Sequence, residues 1–180
     1  MSDRFYNYSA FDDKRVEDIF KGWDGLGGYH GLLIRKVSRL LVGTTALDVG
    51  CGLCHLYECL KVENPLFGGT YVGTDIDDRI LGMARERYPQ LNLLKQDVYD
   101  LNIGEKFDTV YGIGLYSGEP EILRGINNML NHANHAVVLT YFAKERNKVP
   151  SILKIDGWEI EFIIHNIDEK LEIVRMWKTG

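Results

Sequence analysis

The chain has 180 residues, 45% hydrophobic and 26% charged, with a net charge of −5. That suits one domain with a sizeable core and excludes an overall positive field drawing it to nucleic acid or acidic membranes, although a local basic patch stays open. No apolar run nears the roughly 20 residues that span a bilayer, residues 1–6 lack an apolar signal core, and three cysteines, two in one loop, make no disulfide framework, so a cytoplasmic location is expected.

Residues 1–10 carry Phe5, Tyr6 and Tyr8 among polar neighbours and are expected to form an arm without fixed secondary structure. Asp12 and Asp13 stand where acids favour a helix start, and Val16, Ile19, Phe20 and Trp23 give that helix an apolar face. Gly22, Gly25, Gly27 and Gly28 break it. A second helix follows with Leu33, Val37, Leu40 and Leu41 on one side, and Gly43 ends it. The body then alternates strands with helices: strands at 45–49, 71–75, 91–96, 107–113 and 136–142, and helices at 53–62, 78–88 and 119–132. Alternation of this kind implies parallel strands joined by right-handed crossovers. The rhythm breaks at the end. Residues 158–165 and 171–177 are strand-like runs whose five-residue connection permits only an antiparallel pair. Between 143 and 157, Pro150 predicts a broken helix or loop.

The stretch Ala46-Leu47-Asp48-Val49-Gly50-Cys51-Gly52 organises the chain. It reads as strand, acid and glycine turn before a helix, the geometry in which backbone N–H groups face a ligand. Gly50 and Gly52 let the backbone approach that ligand without an intervening Cβ. Tyr71-Val72-Gly73-Thr74-Asp75 repeats the strand-then-acid pattern, and an acid at this second tip suits a ribose diol. A third strand leads to Asp97. Three strand-tip acids suit a ligand with an amino group, a ribose and an adenine amino group, and suit a pyrophosphate badly.

Taken together, Asp48-x-Gly50-x-Gly52, Gly73-Thr74-Asp75-Ile76-Asp77, Gln96-Asp97-Val98 and Phe107-Asp108-Thr109-Val110-Tyr111 resemble the class I S-adenosylmethionine-dependent methyltransferases over residues 44–142. The family usually has glycine where this chain has Cys54. The resemblance implies an α/β three-layer sandwich: a mostly parallel seven-stranded sheet closed by a C-terminal antiparallel hairpin, with an N-terminal helical extension. Within one methyltransferase-like domain, residues 1–43 would be arm and helical lid, 44–142 the cofactor-binding core and 143–180 the C-terminal hairpin. The lid expectation rests on aromatic side chains joined to a glycine hinge, which can close over a ligand and exclude water.

The same resemblance assigns the cofactor site. Asp48, Gly50 and Gly52 would meet the amino-acid end of S-adenosylmethionine, Asp75 the ribose and Ile76 the adenine face. Asp97 and the Val98 backbone would meet the adenine edge, with Ile113 lining the same pocket. No metal is implied. On the acceptor side, the segment Gly112-Ile113-Gly114-Leu115-Tyr116-Ser117-Gly118 lacks the Asn-Pro-Pro-Tyr or Asp-Pro-Pro-Tyr run of enzymes that methylate nucleobase or glutamine nitrogens. A small-molecule acceptor is therefore expected. Tyr116 would stack on it or hydrogen-bond to it, and Tyr29 would reach it from the lid. His30 is the general-base candidate by type; a single histidine beside a glycine hinge is more often a surface or packing residue. His132, His135 and His165 read as helix-end, loop and strand-face residues.

Cys51-Gly52-Leu53-Cys54-His55 also matches a haem attachment pattern. That chemistry occurs outside the cytoplasm, and the motif coincides with the required glycine turn. A zinc site from Cys51, Cys54, His55 and Cys59 is disfavoured because the side chains diverge along a helix, and a redox role for the cysteine pair is a minor reading. Two other functions stay in play. One is a binding protein or partner subunit of the same fold that holds S-adenosylmethionine or S-adenosylhomocysteine without turnover. The other is a nicotinamide oxidoreductase, whose fingerprint wants glycine where His55 stands.

Overall fold

A computed structural model describes residue 14 and residues 28–116, 122–142, 155–165 and 171–179. The expected arm, first helix and glycine hinge lie outside the described residues apart from Lys14 and Gly28, as do Ser117, Gly118 and residues 143–154.

The described elements are α1 (Gly28–Ser38), β1 (Thr45–Val49), α2 (His55–Glu63), β2 (Thr70–Asp75), α3 (Asp78–Arg87), β3 (Asn92–Lys95), a 3-10 turn at Val98–Asp100, β4 (Phe107–Tyr116), α4 (Ile122–Asn131), β5 (Ala133–Phe142), β6 (Trp158–His165) and β7 (Leu171–Lys178). The strands form one sheet in the order β3-β2-β1-β4-β5-β7-β6. The first five are parallel, and β7 runs antiparallel to both β5 and β6. This is the seven-stranded α/β sheet with a closing antiparallel hairpin that the resemblance implies.

Alternation along the strands sends side chains to two separate cores. Ala46, Tyr71, Tyr111, Val138 and Ile173 face one way, under Leu33, Ile34 and Val37 of α1, Leu56 and Leu60 of α2, and Ile80, Leu81 and Ala84 of α3. Leu47, Val49, Val72, Val110 and Val137 face the other way, under Ile126, Met129 and Leu130 of α4 and Val98 and Tyr99 of the 3-10 turn. The layers are helices, sheet, helices.

Several boundaries differ from the sequence expectation. The second helix ends at Ser38 rather than Gly43. The Ser38 hydroxyl donates to the Arg35 carbonyl at 2.8 Å, and a turn follows, with the Leu40 N–H on the Val37 carbonyl. The helix after the glycine turn begins at His55 rather than Leu53 because Cys54 takes the left-handed conformation, φ 62°. β4 runs on to Tyr116 instead of stopping at Ile113, passing through an irregular register between Gly112 and Tyr116 against β5. β5 starts at Ala133, so His135, expected in a loop, lies within a strand. His132 does end its helix. Its Nδ1 lies 2.7 Å from the Asn128 carbonyl while the Ile103 N–H donates to its Nε2, which fastens the helix end to the preceding loop.

Gly82 sits inside α3, where an added Cβ would meet nothing within 4 Å. Gly82→Ala is therefore expected to stabilise the fold by about 0.5–1 kcal/mol, by reducing the freedom of the unfolded chain. The measurement is the urea unfolding midpoint, which should rise.

Candidate active site

The C-terminal tips of β1, β2 and β3 lie side by side and are laced together by backbone bonds. Asp48 pairs with Gly73, and Asp75 pairs with Lys95, so successive acids step outward along the sheet edge. The turn after β1 is pinned to β2: the N–H groups of Gly50 and Cys51 both donate to the Thr74 carbonyl, at 2.7 and 2.8 Å. The Gln96 N–H donates to the Asp75 carbonyl at 3.1 Å, tying the third tip to the second.

Asp75 is the hub. Its Oδ2 accepts from the Gly52 N–H at 3.1 Å and its Oδ1 from the Asp77 N–H at 3.0 Å. A carboxylate offers about four acceptor positions, so both oxygens retain capacity for ligand hydroxyls. Burial raises the Asp75 carboxyl above the usual carboxylate range, and the donated backbone N–H bonds offset only part of that rise. Ile76, just beyond, is 45% exposed.

Gly50 and Gly52 both take positive φ, 72° and 52°. A Cβ on Gly50 would fall 2.3 Å from Leu115 Cδ2. Leu115 of β4 thus closes over the turn, a contact that sequence reasoning missed because it depends on β4 running past Ile113. Cys54, where the family usually has glycine, is fully buried in a left-handed conformation, the place in the loop where glycine would fit without strain.

Asp48 lies beneath the turn rather than in front of it. It is 2% exposed, and its carboxylate accepts from the Tyr71 hydroxyl at 2.6 Å. Burial pushes its pKa up to about 7; the Tyr71 bond works against that rise, and the nearby Asp75 charge adds to it. Any contact with a ligand therefore passes through the turn or a water. Tyr71 is a second residue missed from sequence, since its reach to Asp48 is a matter of strand register.

Asp97 caps the 3-10 turn, accepting from the Tyr99 N–H at 2.9 Å. A carboxylate engaged as a cap keeps acceptor positions. Val98 is buried, with its carbonyl taken by Asn128 Nδ2 at 2.9 Å. Ile113 is half-buried and packs against the α1–α3 side of the sheet. Tyr29 and His30 lie in the first turn of α1, and Tyr116 ends β4; the described backbone puts them on those elements.

A family model described as "Methyltransferase domain" matches residues 46–135, half of the chain and the stretch that carries all three acidic tips. The chain belongs to the methyltransferase domain family. This methyltransferase domain is 22% identical over 124 residues to protein 235L of Invertebrate iridescent virus 6, a candidate methyltransferase, and it spans 46% of the length of that curated relative. Among solved structures, it is similar to the magnesium protoporphyrin IX methyltransferase of Synechocystis PCC 6803 with bound S-adenosylmethionine. That match has TM-score 0.70 and 18% identity, and covers 99% of this chain and 100% of the other. It is also similar to an amino pentose methyltransferase of Micromonospora echinaspora, at TM-score 0.70 and 14% identity, over 92% of this chain and 97% of that one. Both share the class I methyltransferase fold with this domain. Among the described residues, no helix is long and apolar enough to cross a membrane.

Proposed function

We propose that the protein transfers a methyl group from S-adenosylmethionine to a small-molecule acceptor. The observation that carries this reading is the joint between the first two strand tips, where Asp75 accepts the Gly52 N–H and still presents acceptor positions beside a turn with no Cβ at either glycine. These residues fit an adenosine linked to an amino acid. Asp75 would take the ribose diol, Asp97 with Val98 the adenine edge, and Ile76 and Ile113 the flanks of the pocket. Gly50 and Gly52 would let the turn approach the amino-acid end, with Asp48 supporting it from below.

The cofactor supplies an activated methyl on a sulfonium with a good leaving group. The protein's task is to hold the acceptor in line with it, which is worth about 7–11 kcal/mol in favourable systems. A base is needed only where the acceptor must first lose a proton. His30 and Tyr116 remain the residues proposed for such a role, with Tyr29 beside the acceptor and the N-terminal segment through residue 43 as its cover. The solved neighbours named for a porphyrin and an amino sugar support a small acceptor.

Titration calorimetry with S-adenosylmethionine, followed by an acceptor screen with radiolabelled methyl, tests the reading. Binding followed by label transfer is expected. Binding without transfer to any acceptor class would favour a non-catalytic cofactor-binding subunit, a reading supported by Cys54 at the family's glycine position. Failure to bind, together with affinity for a nicotinamide dinucleotide, would overturn both.

A further inference from the structure

Asp48 occupies an unusual place for a carboxylate. It stands inside the sheet, opposite Tyr111 of β4 and Gly73 of β2, with 2% of its surface exposed. The groups around it are Tyr71 and Asp75 from β2, Tyr111 from β4 and Cys51 from the turn: a second acid, two hydroxyls that burial keeps neutral, and a thiol pushed up by its bond to Cys54 and by burial. His55 is buried at the head of α2, next in the chain to Cys54. Arg35 of α1 and Arg39 just beyond it pair with Glu63 at the opposite end of α2. The Tyr111 hydroxyl is buried without a hydrogen-bond partner among the described residues, so the bond donated by Tyr71 is the one resolved anchor of the carboxylate. A buried acid with one donor and a like charge nearby is poorly stabilised in its ionised form.

We propose that Tyr71 is a positioning residue of the cofactor site, holding Asp48 as a buried acid that gives up its proton when the ammonium of the cofactor's amino-acid end arrives over the glycine turn. This rests on the methyl-transfer reading above. The balance is simple: the Asp48 carboxylic acid becomes a carboxylate, and the proton leaves to solvent. A positive charge within about 4–6 Å lowers a neighbouring carboxyl by about 1–3 pH units, and no direct contact is required in a low-dielectric interior. With Asp48 near 7 in the free protein, binding at pH 7 releases about half a proton. The sign follows. Affinity rises with pH up to about 7 as the proton no longer has to be expelled, and falls above about 8 where the ligand's own α-amino group loses its charge.

The test is calorimetric titration of the full chain with S-adenosylmethionine at pH 7 in buffers of different ionisation heat, which counts protons released without any variant. Release of about half a proton supports the proposal. Binding with no release overturns it and leaves the methyl-transfer reading standing, whereas no binding in any buffer sinks that reading as well. Tyr71→Phe removes the donor that favours the ionised acid. Its proton release should climb toward one, and the rising limb of affinity should move up by about one pH unit. Weaker binding with the wild-type proton count would mark Tyr71 as merely structural and overturn the assignment. Asp48→Asn keeps an acceptor for the Tyr71 hydroxyl and should bind with no release; persisting release would place the proton on Asp75 and equally overturn it.

Discussion

Replacing Asp75 by alanine is expected to weaken S-adenosylmethionine binding by at least about tenfold, because hydrogen bonds to a charged group contribute about 1.5–3 kcal/mol and 1.4 kcal/mol is a factor of ten. Two effects add in this variant. On the proposed reading the ribose hydroxyls would lose their acceptor, and the Gly52 and Asp77 N–H groups lose theirs, so the turn after β1 is held less firmly to the tip of β2. Asp75→Asn separates the two. Its amide oxygen can keep one backbone N–H in place while the negative charge is gone, so its loss of affinity reports mainly on the ligand. Calorimetric affinities, read beside urea unfolding curves, check the pair. Wild-type affinity in both variants would take Asp75 out of the site.

The second large effect is expected at Gly50. Gly50→Ala should destabilise the fold by about 2–5 kcal/mol, combining the left-handed cost of about 1–2 kcal/mol with overpacking of about 1–3 kcal/mol. The overpacking has a named partner, since the new Cβ would lie 2.3 Å from Leu115 Cδ2. Relief means moving either Leu115 or the turn. Moving the turn breaks the Gly50 and Cys51 bonds to the Thr74 carbonyl. Cofactor affinity should fall along with stability, whereas Gly82→Ala, in open space, should leave affinity alone. A Gly50→Ala protein with the parent's urea midpoint and affinity would show that the turn rearranges freely, and the left-handed geometry would lose its functional meaning.

Legibility in the sequence followed the range of the interactions. Strands β1 and β6 have their expected limits because each is bounded by local breakers and filled with apolar or β-branched residues. The hairpin of β6 and β7 was readable because a five-residue link allows one direction of pairing. The length of β4 was not readable. Gly112 and Gly114 look like the end of a strand, yet pairing with β5 carries the chain through the irregular region to Tyr116, with the Gly114 N–H donating to Thr140 Oγ1 at 2.7 Å. The early stop of α1 at Ser38 is another case: Leu40 and Leu41 keep helical spacing in the sequence, but a side-chain bond and a turn end the helix first.

The candidate site divides in the same way. The placement of Asp48, Gly50, Gly52, Asp75 and Asp97 at strand ends and in the turn was legible because a strand, an acid and a glycine turn are consecutive in the chain, and the acid's spacing follows from the length of one crossover. The sequence alone thus determined that acids and a glycine turn sit at one edge of a parallel sheet. Only the tertiary structure decided that Asp48 lies under the turn with Tyr71 as its donor, that Leu115 closes over Gly50, and that Asp75 joins two turns at once. The reason is physical: each of those facts depends on the register of neighbouring strands, and register is set by packing between residues distant in the chain.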